Sequence, residues 1–236
     1  MSPGHDPKVG RGRVWSRHGP RYFVMSLRLE LPAPGVLTPN DKNDPLPYYY
    51  HAWVGWLYRH RLQLGLDMLP DTGRRVLEIG VGSGILVPTL TRRYPEYTGT
   101  DLTLAEGLAG LVAPGCRAVF HCADLLRDGD LPADHFDAIV CFSVLEHIPD
   151  SDAAARSLAR ALVPGGVLVT GYPMVSPLMT RAFRMIGFSG IDDHHVSTPA
   201  QIAAALGRVL QPTGRAAFPP AAPVRAALYQ CTAWTR

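Results

Sequence analysis

The sequence predicts an α/β fold with a mostly parallel sheet covered on both faces, and three observations carry that prediction. From Arg74 onward, short apolar runs alternate with helical stretches. The runs are continuously apolar, as strands buried on both faces must be. Two late runs, at 215–218 and 226–234, are joined by the turn-rich residues 219–223 and read as a closing antiparallel pair.

Taken in order, residues 1–46 hold many Pro, Gly and Arg, with little periodicity. They read as a loose basic arm, partly disordered. The main domain is expected over 47–236. Residues 48–69 set aromatic and aliphatic side chains at helical spacing, so one or two amphipathic helices form a cap over 47–70. Apolar runs at 76–79, 97–100, 118–121, 136–142 and 167–170 read as strands. Helical stretches at 85–93, 104–111, 151–162 and 199–210 alternate with them. Asp150 or Ser151 caps the third helix, and Pro164-Gly165-Gly166 ends it. Ser197 or Thr198 caps the last, with Pro199 in its first position. Residues 171–196 form a long excursion, and excursions of that length usually cover a functional site. Ligands of open parallel sheets bind outside the carboxyl ends of the strands, and this excursion leaves from one of them.

Composition excludes several classes. The 236 residues suit one domain, and 47% are apolar, enough for a full core. Charged residues make up 18%, too few for a disordered polyelectrolyte. Mean hydropathy is +0.03, and no apolar run approaches the ~20 residues of a membrane span. A net charge of +3 argues against a dedicated nucleic-acid binder. Lys8 and Lys42 are the only lysines, so arginine supplies 21 of 23 basic residues. Cys116, Cys122, Cys141 and Cys231 form no CxxC and no zinc spacing, and read as reduced, buried, small apolar residues. The basic N-terminus lacks the apolar stretch of a secretory signal, so the expected location is the cytoplasm.

The strongest motif is Val76-Leu77-Glu78-Ile79-Gly80-Val81-Gly82-Ser83-Gly84. A buried strand ends in an acid, then turns through three glycines into a helix. Glycines let the backbone pass close under a ligand and turn the helix N-terminus toward it. A tight turn with no ligand is the plain alternative. Asp101 tips the balance, because it ends the next strand twenty-one residues after Gly80. An acid there can accept hydrogen bonds from both hydroxyls of a ribose. It can also cap the helical stretch after it. Asp124 comes after the third strand, where its carboxylate can accept from an adenine amino group, and Leu125 can pack on the ring.

These segments, with T-G-T-D-L, C-A-D-L-L, F-D-A-I-V-C-F-S-V-L-E-H-I-P-D and L-V-P-G-G-V-L-V-T, resemble the class I S-adenosylmethionine-dependent methyltransferases. The nearest flavour is the small-molecule group that includes the ubiquinone and menaquinone biosynthesis enzymes. The resemblance runs from Arg74 to about Thr170. It implies a doubly wound, Rossmann-like, seven-stranded sheet with the last pair antiparallel. It implies S-adenosyl-L-methionine as cofactor and S-adenosyl-L-homocysteine as product. By resemblance Glu78 reaches the methionine amino group, and Gly80, Gly82 and Gly84 form the motif that carries that moiety. Asp101 and Leu102 serve the ribose, Asp124 and Leu125 the adenine, and Phe142 and Ser143 the methionyl end.

The acceptor side is read more loosely. His147 lies just past the fourth strand, where it is either a general base or a structural histidine. Glu146 carries the same ambiguity. Asp192-Asp193-His194-His195 holds metal-ligand types, but four consecutive residues cannot all face one ion, so no metal is expected. His195 and His51 stay as candidate bases. Aromatic faces suit a sulfonium and a flat acceptor, so Tyr49, Tyr50 and Trp53 from the cap and Tyr172 and Met174 from the excursion are expected to form the acceptor pocket. The D/N-P-P-Y/F sequence of nucleobase amino-methyltransferases is replaced by Cys141-Phe142-Ser143-Val144, which favours a small molecule. Two rivals remain: a donor-binding protein without methyl transfer, and an NAD-type oxidoreductase. The G-x-G-x-G spacing tells against the second, whose fingerprint places glycine at Ile85.

Overall fold

A computed structural model describes residues 27–42, 44–127, 130–174, 196–220 and 227–236, and the backbone alone of 13–16 and 19–22. A short antiparallel ladder joins β1 (Arg13–Ser16) to β2 (Gly19–Tyr22). Helices α1 (Leu46–Tyr50) and α2 (Gly55–Leu66) come next. The sheet comprises β3 (Arg75–Ile79), β4 (Glu96–Asp101), β5 (Arg117–Cys122), β6 (Phe136–Phe142), β7 (Leu162–Pro173), β8 (Gln211–Phe218) and β9 (Tyr229–Thr235). Its order is β5-β4-β3-β6-β7-β9-β8. The first five strands are parallel, and β9 runs antiparallel between β7 and β8.

This order has a consequence for binding. The chain winds outward from β3 to β5, then crosses back to lay β6 on the other side of β3. The connections leaving the carboxyl ends of β3 and β6 therefore run in opposite directions and open a crevice between them, where open α/β sheets bind ligands. Alternate residues of the central strands feed two cores. Leu77, Ile139 and Leu168 pack with α4 (Ser151–Ala161) and α5 (Pro199–Gly207), while Val76, Val140 and Tyr97 pack with α2 and α3 (Val87–Arg93). Burial on both faces is why the central strands read as unbroken apolar runs. The edge strand β5 alternates exposed and half-buried residues.

Capping agrees with expectation at two helices. Asp150 accepts the Ala153 N–H at 2.9 Å. Thr198 and Gln201 form a reciprocal capping box, with Pro199 at the start of α5. Other boundaries differ. Helix α4 ends at Ala161, and Pro164-Gly165-Gly166 lies inside β7. Phe136 pairs with Leu162 and Ala138 with Val167, so residues 163–166 bulge opposite Asp137, with Gly165 at φ +78°. The stretch 104–111 yields only a 3-10 turn over Leu108–Leu111, after Gly107 at φ +81°. Helix α3 starts at Val87, because residues 81–86 are spent on the glycine turn.

Residues 27–42 and 44–46, read from sequence as part of a loose arm, pack against the domain. The Glu30 N–H donates to Thr89 Oγ1 at 2.8 Å, and the Leu29 N–H to Gln63 Oε1 at 2.9 Å. Leu37 and Leu46 are buried. Cys141 and Cys231 are buried, Cys116 is half-buried, and Cys122 is exposed, contrary to the buried reading. Among the described residues, no helix is long and apolar enough to cross a membrane.

Candidate functional site

A cavity of about 480 Å³ opens at the carboxyl ends of β3, β4, β5 and β6. The chain builds its floor at the glycine turn. Gly80, Gly82 and Gly84 all adopt positive φ, at +79°, +53° and +84°. A Cβ on Gly80 would lie 2.3 Å from Val144 Cγ2, so glycine here lets the β3 and β6 ends approach. A Cβ on Gly82 would meet nothing nearer than Asp44 Oδ2 at 3.7 Å, so that backbone stays open to the cavity. Gly84 serves packing instead. A Cβ there would lie 2.5 Å from Leu108 Cδ2, and Gly84 does not line the cavity.

Two acids frame the turn. Asp101 Oδ2 accepts the Gly82 N–H at 2.8 Å, and Oδ1 accepts the Leu102 N–H at 2.7 Å. Both Asp101 and Leu102 line the cavity. Glu78 is 2% exposed and accepts the Tyr97 hydroxyl at 2.6 Å. Burial pushes its carboxyl up to about 8, against the lowering effect of that hydrogen bond. A buried carboxyl poised near neutrality at a cavity wall suits a cationic partner.

The far wall comes from later strands. Asp124 accepts the Leu126 N–H at 2.9 Å, and Asp124 and Leu125 both line the cavity. Phe142 and Ser143 line it at the end of β6. Ser143 holds φ +56°, a conformation uncommon for a residue with a side chain. Its Oγ lies 3.2 Å from Tyr229 Oη. His147 lines the cavity one turn on, and the neighbouring Glu146 is buried with neither carboxylate oxygen hydrogen-bonded among the described residues. Burial pushes Glu146 up to about 7.

The cap contributes residues that sequence reasoning does not single out. Arg61 of α2 lines the cavity, donates to Tyr49 Oη at 2.9 Å and stacks over Tyr58, with Cζ 4.3 Å from the ring centroid. Its buried Nε has no hydrogen-bond partner among the described residues. An arginine on a cavity wall can meet an anion there. The one signal for it in the sequence is an arginine among the apolar residues of the helical stretch 48–69; the helix that forms there, α2, has no marked apolar face. Asp44, before α1, also lines the cavity. It lies in a segment whose composition reads as loose, which hides it.

Of the acceptor-side candidates, Tyr49 and His147 line the cavity. Tyr50 turns away and donates to the Pro32 carbonyl at 2.9 Å. His51 is exposed and accepts the Trp53 N–H through Nδ1 at 3.3 Å. Trp53 is 83% exposed. Tyr172 is fully buried against the α4 and α5 core, where Met174 also packs, because even and odd residues of β7 face opposite sides. His195 and the Asp192–His195 cluster lie outside the described residues.

The lining of the cavity suits an adenosyl amino acid. An open glycine backbone, an acid at or near each of three strand ends, an apolar leucine and the Arg61 side chain line one space. They match a flat base, a ribose diol, an ammonium and a carboxylate.

A family model described as a methyltransferase domain matches residues 52–214. The ubiquinone biosynthesis O-methyltransferase of Alkalilimnicola ehrlichii is 36% identical over 104 residues, covering 41% of this chain and 40% of that protein. The chain thus spans about two fifths of the length of the curated relatives it matches. Among solved structures, the N-methyltransferase NodS from Bradyrhizobium japonicum WM9, in complex with S-adenosyl-L-homocysteine, aligns with TM-score 0.58 and 19% identity, over 84% of this chain and 94% of that one. The [4+2]-cyclase SpnF aligns with TM-score 0.56 and 17% identity, over 84% and 86%. Both likenesses concern the fold.

Proposed function

The chain belongs to the methyltransferase-domain family, and from that premise we propose that it moves a methyl group from S-adenosyl-L-methionine to a small, partly apolar acceptor. One observation carries the reading. Glu78, Gly80, Gly82, Asp101, Asp124, Leu125, Phe142 and Ser143, separated by up to 65 residues of chain, line one cavity.

In this reading Asp101 holds the ribose, Asp124 and Leu125 the adenine, and Arg61 the methionine carboxylate. Glu78 holds the ammonium. The donor, when bound, supplies a methyl group already activated on a sulfonium. The chain therefore supplies alignment and exclusion of water, effects worth up to ~7–11 kcal/mol in favourable cases. Ser143 and His147 border the space left for the acceptor, and His147 is the described histidine that can take a proton from it. Oxygen is the acceptor atom favoured by the relatives' name.

The test is incubation with methyl-labelled S-adenosyl-L-methionine and a panel of phenols, catechols and amines, tracking labelled product and S-adenosyl-L-homocysteine. Label transferred to a phenolic or catecholic oxygen supports the reading. A chain that binds the donor yet transfers to nothing favours the second reading, a donor-binding protein with another role. The fold shared with a cyclase is the observation that keeps that reading open.

A further inference from the structure

Arg61 brings a guanidinium to the cavity wall, and three tyrosines gather around it. Its Cζ lies 4.3 Å from the Tyr58 ring centroid and 5.5 Å from those of Tyr49 and Tyr229. Tyr58 and Arg61 stand three residues apart on α2, so they share a helix face. Tyr49 comes from α1 and Tyr229 from β9. The Tyr58 ring is itself braced, by the tilted Tyr48 ring at 5.3 Å and the edge-on Tyr49 ring at 5.4 Å. Arg59 Nη1 donates to the Tyr49 carbonyl at 2.6 Å, which ties α1 to α2 at this point. Arg61 takes part in no ion pair among the described residues. Glu146 feels its charge, but no hydrogen bond joins the two. Ring faces and the Tyr49 hydroxyl hold this cation, and its charge stays available to an anion in the cavity.

We propose that Tyr58 is a positioning residue that presets Arg61 for the carboxylate of the bound donor. The proposal rests on the donor reading above, in which Arg61 takes that carboxylate. Tyr58 does not line the cavity, so it acts through Arg61 and not on the ligand. A free arginine side chain samples many rotamers, and freezing them at the moment of binding costs affinity. With the guanidinium already lying over the Tyr58 ring, that loss of freedom falls on folding and not on binding. The ring face is what meets the guanidinium, so the tyrosine hydroxyl is dispensable here. A phenylalanine should serve in its place, and an aliphatic side chain should not.

Calorimetry on the full chain with S-adenosyl-L-methionine and decarboxylated S-adenosylmethionine tests this. Tyr58→Leu keeps a bulky apolar side chain and removes the ring face. It is expected to weaken S-adenosyl-L-methionine about fivefold and the decarboxylated compound less than about twofold. Tyr58→Phe keeps the face, so both affinities are expected to stay within about twofold of the parent. Equal weakening of the two ligands by Tyr58→Leu, no weakening of either, or a loss in Tyr58→Phe as large as in Tyr58→Leu overturns the proposal. If Tyr58→Leu does not fold, NMR of the ligand-free parent chain decides. The Arg61 side-chain protons, identified by their loss in Arg61→Met, are expected upfield of the ordinary arginine range, because they lie over a ring. Ordinary shifts overturn the proposal. Arg61→Met separates the two layers of the argument. If it weakens both ligands alike, the carboxylate assignment fails and the proposal falls with it. If it weakens only S-adenosyl-L-methionine while Tyr58→Leu does not, the assignment stands and the role of Tyr58 alone fails. A chain that binds neither ligand defeats the donor reading itself.

Discussion

Asp101 and Gly82 are tied by a hydrogen bond of 2.8 Å, from the Gly82 N–H to the Asp101 carboxylate, across 19 residues of chain. The acid that ends β4 therefore also holds the turn that ends β3. One residue sets the shape of the glycine floor and offers its remaining lone pairs to the cavity.

Asp101→Ala is accordingly expected to do two things. Donor binding weakens by roughly 1.5–3 kcal/mol, the range for hydrogen bonds to a charged group. The fold survives but melts earlier, because the Gly82 N–H loses its partner. Asp101→Asn restores the melting temperature more fully than the affinity. Calorimetry beside thermal melts checks this, and unchanged affinity in a folded Ala variant refutes the ribose assignment.

Arg61 is expected to read the carboxylate of the donor's amino acid. Arg61→Met should weaken S-adenosyl-L-methionine by about tenfold or more, as loss of a charge-assisted pair does. Decarboxylated S-adenosylmethionine lacks the group and should bind both proteins alike. An equal loss for the two ligands would assign Arg61 to packing against Tyr49 and Tyr58 instead.

Glu146 predicts a pH effect on stability. The folded chain keeps this proton up to about pH 7, while the unfolded chain releases it near 4.5. Between those values unfolding releases a proton, so rising pH favours the unfolded state. The stability this group contributes is present below about 4.5 and lost as pH rises through about 7. Glu146→Gln removes the titration. The difference in unfolding free energy between variant and parent is expected to shift toward the variant by on the order of 3 kcal/mol from pH 4.5 to pH 8. Glu78 titrates in both proteins and cancels in that difference. A flat difference curve from denaturant titrations contradicts the burial argument.

Gly65 sits where α2 meets the site. A Cβ there would lie 2.1 Å from Phe142 Cζ, so the Phe142 ring lies directly on the helix backbone. The ring also lines the cavity. Gly65→Ala forces it to move, and motion toward the cavity narrows the site. Donor affinity should fall by about tenfold, while helix propensity offsets part of the packing cost by up to ~1 kcal/mol. An alanine variant with full affinity would show that the ring relaxes elsewhere.

Much of the fold is legible in the sequence because its signals are local. Continuous apolar strands, Asp150 and the Thr198–Pro199 start are written in consecutive residues, and the β3 turn carries its own glycines. The acids that line the cavity are legible because each lies at or near the end of a strand that the sheet aligns. The Pro164–Gly166 bulge reads as a helix stop because the same turn residues serve both, and only pairing with β6 distinguishes them. Tyr172 and Trp53 mislead because aromatic composition does not say which face a side chain takes. Arg61 and Asp44 escape sequence reasoning because their place on the cavity wall depends on long-range packing of the segments before β3 against the sheet, which helical spacing within 48–69 does not reveal.

The central claim is that this cavity holds S-adenosyl-L-methionine, and a calorimetric titration of the chain with that compound tests it most directly. The account predicts saturable binding of one molecule per chain, weakened by Asp101→Ala and by Arg61→Met, with no comparable binding of NAD. Absence of binding by the folded chain, or binding that both substitutions leave intact, would contradict it.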